Sequence, residues 1–282
     1  MRKSMKIEGL LVAAVAGLSL AAAPASTTTD EAPSTSWRIY AEKVYPAPGE
    51  VHENCLLLVQ DGKITSIAPG RPMDGDGGDE GDDFISVACV TAGMVDANAS
   101  IHTGLDSVEQ STEVEPGRRA ADALDVFDYR WQRQARSGVT TAIVSPLDRN
   151  VIGGTSVAVK TAGSDSPDER VVKADVSLRG AIGSLPSSVN RAWGVQTEFY
   201  QRRPTSRMGV EWEWRKAFFD AAGAAEYPEL EYPGADVIRA VLAGNVLLNI
   251  QAWTTADIRT AIYLKEEMQR EGFGDIRLVL DA

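Results

Sequence analysis

The sequence predicts an α/β fold that follows a small all-β segment. Before residue 93 the chain carries short β-branched runs separated by turn signals, a pattern typical of short strands. After that point, apolar strand-like runs alternate with helical patterns. Strands that alternate with helices are typical of an α/β architecture, and apolar runs of this kind are typical of a parallel sheet.

Residues 1–25 have the pattern of a secretory signal peptide. Arg2 and Lys3 give a basic start, residues 9–23 are apolar, and Ala23-Pro24-Ala25 offers a cleavage site. The apolar run is too short to span a membrane. We therefore expect cleavage, export, and a periplasmic or extracellular location. Residues 26–36 are rich in Ser, Thr, Pro and acidic side chains, which predicts a disordered leader.

The formal net charge is −12 at pH 7, so the exported protein is predicted to be acidic. An acidic surface repels the phosphates of nucleic acids and of anionic membranes. We therefore expect no nucleic-acid partner and no membrane span.

Residues 37–93 are predicted to form a β-sandwich domain. Asp61-Gly62 lies between two strand-like runs and is a hairpin turn signal. The Gly- and Asp-rich run at residues 74–83 lacks the ligand spacing of an EF-hand, which indicates a solvated loop. The predicted strands cover residues 37–44, 54–60, 63–68 and 84–90.

The chain has two cysteines, Cys55 and Cys89, and each lies in a predicted strand. Export into an oxidising compartment would permit a disulfide between them. Two free thiols agree with the sequence equally well, so both alternatives stay open.

Residues 94–282 carry the alternating pattern of strands and helices. Thr254 or Thr255 can cap the start of the last helical pattern. The strand-like runs cover residues 139–145, 155–161, 171–178, 246–250 and 277–280, and the helical patterns cover residues 128–137, 211–225, 235–242 and 255–270.

Residues 93–100, Gly-Met-Val-Asp-Ala-Asn-Ala-Ser, resemble the first barrel strand of the amidohydrolase superfamily, which reads Asp-Ala-His-x-His. Four further segments are similar to the imidazolonepropionase-like and secreted dipeptidase-like branch. They are Asp61-Gly62-Lys63-Ile64, Gly138-Val139-Thr140-Thr141, the Gly153-Gly154-Thr155 segment that leads to Lys160, and Pro204-Thr205-Ser206-Arg207-Met208-Gly209. The resemblance implies that residues 94–282 form an incomplete TIM-like (β/α) barrel of the amidohydrolase type.

In that family, a zinc or other divalent metal ion activates water for hydrolysis of a carbon–nitrogen bond. The resemblance places Asn98 and Ser100 where the first two histidine ligands stand, and Gln251 and Trp253 where a later pair stands. Lys160 matches a lysine ligand. Amide, hydroxyl and indole groups are poor ligands for such a metal, so we expect no metal cofactor.

Two functional hypotheses follow from these positions. The first is a pseudoenzyme, a non-catalytic binding protein whose pocket holds a small molecule or peptide. The alternative is a hydrolase of carbon–nitrogen bonds with an unrecognised metal site, for which Lys160, Asp96 and His102 are the candidate residues.

Residues 94–282 are fewer than the roughly 250 that a complete barrel takes. We therefore expect either a fragment that lacks its C-terminal half or a homo-oligomer in which another chain covers the open sheet edge.

Overall fold

The computed structural model describes residues 36–70, 83–99, 101, 107–109, 111–188 and 203–282. The chain divides between Thr91 and Ala92 into two compact units. Several predictions fall outside the described residues. They are the signal peptide at residues 1–25, the leader except for Ser36, most of the acidic loop at residues 74–83, and the site candidates Ser100 and His102.

The N-terminal unit is one four-stranded sheet. Its strand order is β3-β2-β1-β4, in which β1 pairs antiparallel with β2 and parallel with β4. Asp61 and Gly62 both have positive φ angles, which confirms the predicted hairpin turn between β2 and β3. The strands are β1 (Ser36–Tyr45), β2 (His52–Gln60), β3 (Lys63–Pro69) and β4 (Asp83–Thr91).

The buried face of this sheet is small. Ala41, Val44, Cys55 and Leu57 form its apolar cluster, whereas every residue of β3 is exposed. A sandwich requires two stacked sheets, and the described residues of this unit supply one.

The two cysteines lie on opposite sides of β1. Cys55 of β2 pairs with Ala41, and Cys89 of β4 pairs with Lys43. Two strand spacings separate them by about 10 Å, whereas a disulfide needs Cα atoms within about 7 Å. Both are free thiols, Cys55 buried and Cys89 exposed.

The C-terminal unit contains two four-stranded sheets. One has the order β12-β11-β10-β7 and the other has the order β5-β6-β8-β9. The strands are β5 (Met94–Ala99), β6 (Val139–Val144), β7 (Ile152–Thr155), β8 (Val157–Lys160), β9 (Val171–Lys173), β10 (Ser177–Ala181), β11 (Leu247–Gln251) and β12 (Leu278–Asp281).

Helices connect these strands. Val210, Trp214 and Phe218 of one long helix pack with Leu248 and Ile250 of β11 in the main apolar core. Trp214 also donates from Nε1 to the carbonyl oxygen of Ala181 at 3.2 Å. The helices are α1 (Tyr129–Arg136), α2 (Pro167–Arg170), α3 (Ser184–Ser188), α4 (Arg207–Gly223), α5 (Ala235–Leu242) and α6 (Thr255–Arg270).

The mixed α/β class is confirmed, but the pairing is not all parallel. β10, β11 and β12 are parallel, and so are β5 and β6, whereas β7 runs antiparallel to β10 and β8 runs antiparallel to β6. The described strands do not close into a barrel.

The strand predicted for residues 155–161 corresponds to β8, but it begins later than predicted, because the chain changes sheet at Ser156. Gly154 has a φ of 124°, a left-handed value that favours glycine, and β7 ends one residue later at Thr155. Ser156 then bridges to Ser177 through its backbone N–H, and β8 begins in the other sheet at Val157.

Among the described residues, no helix combines the length and the apolar character that crossing a lipid bilayer would require.

Candidate functional site

One face of the sheet formed by β10, β11 and β12 carries polar side chains. Arg179 pairs in register with Asn249, and Gln251 pairs with both Ala181 and Asp281. Since side chains alternate along a strand, these residues share one face. We call the set Arg179, Asn249, Gln251 and Asp281, together with Asp148 and Asn98 that bond to it, the polar site.

The opposite face of the same strands is apolar. Leu178, Leu248 and Ile250 are buried in the core against α4, α5 and α6, and Leu280 packs against it. This alternation fixes the orientation of the polar side chains, because a slip of one residue would move the apolar set out of the core.

Arg179 is the centre of the polar site, and its side chain is 2% exposed. Its Nε and Nη2 atoms donate to the two carboxylate oxygens of Asp148 at 2.6 and 2.8 Å. Nη2 also donates to Asp281 Oδ2 at 2.5 Å, and Nη1 donates to Asn249 Oδ1 at 2.9 Å. A buried guanidinium needs such partners to offset the cost of removing it from water.

Burial and charge act in opposite directions on these groups. Burial acts to lower the pKa of Arg179, but the hydrogen bonds and charges of Asp148 and Asp281 outweigh it and raise that pKa. Burial raises the pKa of Asp148, although Arg179 opposes the shift. With both carboxylates ionised, the three side chains together carry one negative charge.

Asn98 of β5 belongs to the polar site. Its Nδ2 donates to Asp281 Oδ2 at 2.7 Å, so this bond joins the edge strands of the two sheets. Its backbone N–H donates to Asp96 Oδ1 at 3.1 Å. The other oxygen of Asp96 accepts from Gln134 of α1, which turns that carboxylate towards the helix.

Gln251 is buried in the polar site without a full set of partners. It is 3% exposed, and its Nε2 has no hydrogen-bond partner among the described residues. A buried unpaired N–H group costs about 1–3 kcal/mol. Most buried side-chain polar atoms in proteins are paired, so this donor is an exception.

Two further sequence candidates, Trp253 and Lys160, are exposed. Trp253 is 65% exposed, so its indole does not fill a closed space beside Gln251. Lys160 is exposed and pairs with Thr141, whereas Ala99 pairs with Val144 at the far end of β6. Thr141 and Val144 are three residues apart on β6, a distance of about 10 Å along the strand. Lys160 is therefore separated by about that distance from the carboxyl end of β5.

A chain of three buried hydroxyl groups lies beside the polar site. Ser177 precedes Arg179 by two residues on the same face and donates to Ser156 at 3.0 Å. Ser156 and Ser145 then share a hydrogen bond of 2.8 Å. These contacts connect β10 to the segment that follows β6, which holds the loop containing Asp148.

Sequence reasoning missed Arg179 and Asp148 as site residues. The available signal was a charged residue between two buried apolar positions, because Leu178 and Arg179 lie inside a strand that is buried throughout. Such a residue on a central strand requires a partner, but the sequence does not say which carboxylate supplies it.

No family model matches the chain. A curated relative, amidohydrolase tasK from Hapsidospora irregularis, is 25% identical over 215 residues, which cover 64% of this chain and 21% of the relative. The crystal structure of an amidohydrolase from Thermotoga maritima MSB8 matches with a TM-score of 0.71 at 23% identity, over 86% of this chain and 63% of that one.

These similarities confirm the resemblance to the amidohydrolase superfamily. The mixed α/β fold is similar to that of a solved amidohydrolase, and the curated relative carries the same family name. The chain spans about a fifth of the length of the curated relative.

The divalent metal implied by this resemblance does not fit the described residues of the site. Asp148 and Asp281 already bind the fixed cation Arg179, which would repel a metal ion at the same oxygens. Asn98 directs its amide nitrogen, not its oxygen, at Asp281. Within the described ranges, no group of three or more His, Cys, Asp or Glu side chains is arranged to hold a metal.

Proposed function

We propose that this chain is an amidohydrolase-like binding protein, or part of one, that holds a small polar molecule at the polar site without a catalytic metal. The observation that carries the proposal is the ion-pair cluster of Arg179 with Asp148 and Asp281. This guanidinium binds three of the four carboxylate oxygens, so too few free oxygen donors remain there for a divalent metal.

The chemistry of the remaining groups supports binding over hydrolysis. A hydrolase of this family needs a metal ion that lowers the pKa of a water molecule to about 7. Asn98 and Gln251 provide amide groups, which form hydrogen bonds but do not withdraw a proton from water at neutral pH. They can orient a polar ligand in the way typical of small-molecule sites.

The finer architecture and the location belong to the same proposal. We propose an incomplete TIM-like barrel for residues 94–282, supported by the parallel strands β10, β11 and β12 and by the likeness to a solved amidohydrolase. The signal-like residues 1–25 support export. An intact mass that matches a chain starting at Ser26, measured on secreted or periplasmic protein, would support cleavage.

The test of the missing metal is elemental mass spectrometry on the folded full chain, produced with zinc and manganese in the medium. We expect less than about 0.1 metal ion per chain, because Arg179 and Asn98 leave only one carboxylate oxygen of the described polar site open, Asp281 Oδ1, and a divalent metal needs several ligands. A stoichiometric metal content would overturn the proposal and favour the alternative, a metal-dependent hydrolase of carbon–nitrogen bonds.

Lys160→Met is the matched check on that alternative. Lys160 is exposed and lies at the far end of β6 from Asn98, so its loss should not change metal content or any measured turnover. Turnover in the unchanged protein that disappears in Lys160→Met would assign the lysine a catalytic role.

A further inference from the structure

The charge of the polar site restricts the ligands that it can hold. Arg179 directs four N–H bonds at Asp148, Asp281 and Asn249, so the guanidinium has little left to offer a ligand. Together with the two carboxylates it leaves one negative charge in a largely buried cluster. An anionic ligand would meet that charge without a free cation to balance it.

We propose that the polar site selects a small organic cation, namely a protonated amine next to a hydroxyl or carbonyl oxygen. This inference rests on the proposed function and names the ligand class for that same site. The ammonium group is bound by Asp281, and the neighbouring oxygen accepts a hydrogen bond from Gln251.

Asp281 provides the acceptor. Its Oδ2 accepts from both Asn98 and Arg179, whereas its Oδ1 accepts no hydrogen bond from the described residues. The side chain is 28% exposed, so part of it faces solvent. An ammonium group carries three donors and no acceptor, so it suits a carboxylate oxygen that has free lone pairs.

Gln251 provides the donor. It lies directly opposite Asp281 in the register of β11 and β12, on the same face. Its buried Nε2 lacks a partner within the part of the chain that the structure describes, and a hydroxyl or carbonyl oxygen of the ligand would satisfy it. Because donor and acceptor stand on neighbouring strands about 5 Å apart, they match two groups on adjacent carbon atoms of one ligand.

Trp253 adds an aromatic group two residues after Gln251. Trp253 lies two residues beyond the end of β11 and is mostly exposed. Indole is the best aromatic partner for a cation, and such a contact contributes about 0.5–1 kcal/mol at exposed sites. This preference agrees with the sign of the charge on the carboxylate cluster.

The experiment compares three ligands of one shape by titration calorimetry with the full chain at pH 7.5. The cation is phenylalaninol, the neutral analogue is 3-phenylpropane-1,2-diol, and the anion is phenyllactate. We expect the dissociation constant of phenylalaninol to be lower than that of the diol by about tenfold or more, and phenyllactate to bind more weakly still.

Two variants locate the effect. Asp281→Asn keeps the shape of the side chain and removes its charge, so the preference for the cation over the diol should fall to about twofold or less. Gln251→Met removes the donor and should weaken both ligands to a similar degree. Asn98→Asp adds a carboxylate at an exposed position beside Asp281 and should raise the preference, which provides a second test if Asp281→Asn does not fold.

Glu231→Gln is the matched control. It removes one negative charge from an exposed carboxylate that pairs with Arg239, away from the polar site. The ratio of dissociation constants should not change in this variant. Binding of phenylalaninol that weakens equally in Glu231→Gln and Asp281→Asn would reflect general attraction to an acidic protein and would overturn the inference.

The remaining outcomes separate this inference from the proposed function. If the diol or phenyllactate binds as tightly as phenylalaninol, and Gln251→Met weakens that binding, the site binds ligands but the cation inference is wrong. If none of the three binds, the cation inference is overturned, while the metal content of the protein tests the proposed function independently.

Discussion

Arg179 can remain buried because three neighbours accept its N–H groups. Asp148 comes from the loop after β6, Asn249 comes from the adjacent strand, and Asp281 comes from the strand beyond it. The sequence predicted Asn98 and Gln251 as site positions from the family motif, and the structure brings both of them to this cluster. The sequence could not predict the ion pair between Arg179 and Asp148, since these residues are 31 positions apart and meet only through folding.

Arg179→Met should destabilise the protein strongly. The substitution keeps much of the side-chain volume but leaves Asp148 and Asp281 close together without a counter-charge. We expect the free energy of unfolding to fall by about 3–5 kcal/mol, which is typical when one partner of a buried ion pair is removed. Urea denaturation at pH 7 measures the change.

The control for that prediction is Arg239→Met. Arg239 pairs with Glu231 at 2.8 Å, but both side chains are well exposed. Exposed pairs contribute little to stability, so the urea midpoint of this variant should lie near that of the unchanged protein. A similar fall in the free energy of unfolding in both variants would mean that burial does not increase the contribution of the Arg179 ion pairs to stability.

Glu213 on α4 should make stability depend on pH. Burial, followed by the charge of Glu113, raises the pKa of Glu213 above its ordinary value. Its folded-state pKa therefore exceeds its unfolded-state pKa, so its contribution to stability decreases as the pH rises from about 4.5 through the raised value. Above that window the contribution is constant and unfavourable.

Glu213→Gln should remove this dependence. The variant should be more stable than the unchanged protein at pH 7 by up to about 0.5 kcal/mol, because the site is only half-buried. The two should be similar at pH 4. Urea midpoints at both pH values test this, with the exposed Glu226→Gln as control. A variant that is less stable than the unchanged protein at pH 7 would contradict the expected direction of the effect.

Helices and strands differ in how well the sequence predicts them. Two helices, Ala235–Leu242 and Thr255–Arg270, have the predicted boundaries, and the second begins with a capping box between Thr254 and Asp257. These signals are local. The change of sheet at Ser156 depends on pairing with distant strands, so the apolar run at residues 155–161 did not indicate it.

Gly154→Ala should test what determines that change of sheet. The φ of 124° disfavours an L side chain, and an added Cβ would lie 2.3 Å from the carbonyl oxygen of Arg118. We expect a loss of about 3 kcal/mol or more from strain and steric overlap combined. Thermal and urea unfolding of the full chain measure it.

Gly163→Ala separates the two causes. Gly163 has a nearly equal φ of 128°, but an added Cβ there has no other atom within 4 Å. This variant should lose only the backbone term, about 1–2 kcal/mol. Equal losses of stability in the two variants would mean that the steric overlap with Arg118 adds nothing to the cost of Gly154→Ala.

At the scale of the whole molecule, the mixed α/β class was predictable because the alternation of strands and helices extends over the chain after Met94. The direction of individual strands was not, since β7 and β8 run antiparallel to their partners. The family motif named Asn98 and Gln251, which lie at the polar site, but it also named the exposed Lys160 and Trp253, and it could not predict that an arginine would hold the polar groups together.

Removal of metal ions should leave the stability of the full chain unchanged. The positive charge within the polar site belongs to the side chain of Arg179, so dialysis against a chelator does not remove it. We expect the melting temperature to shift by less than about 1 °C, since a ligand stabilises a fold only where it binds the folded state. A fall that zinc or manganese reverses would contradict this expectation.

The two thiols on either side of β1 differ in exposure, so they should differ in chemical reactivity. A maleimide reagent should modify the exposed Cys89 in the folded protein and leave the buried Cys55 unmodified. Blocking Cys89 first would turn Cys55 into a reporter whose labelling rate follows the opening of the N-terminal sheet alone. The stability of one unit could then be measured without a signal from the other.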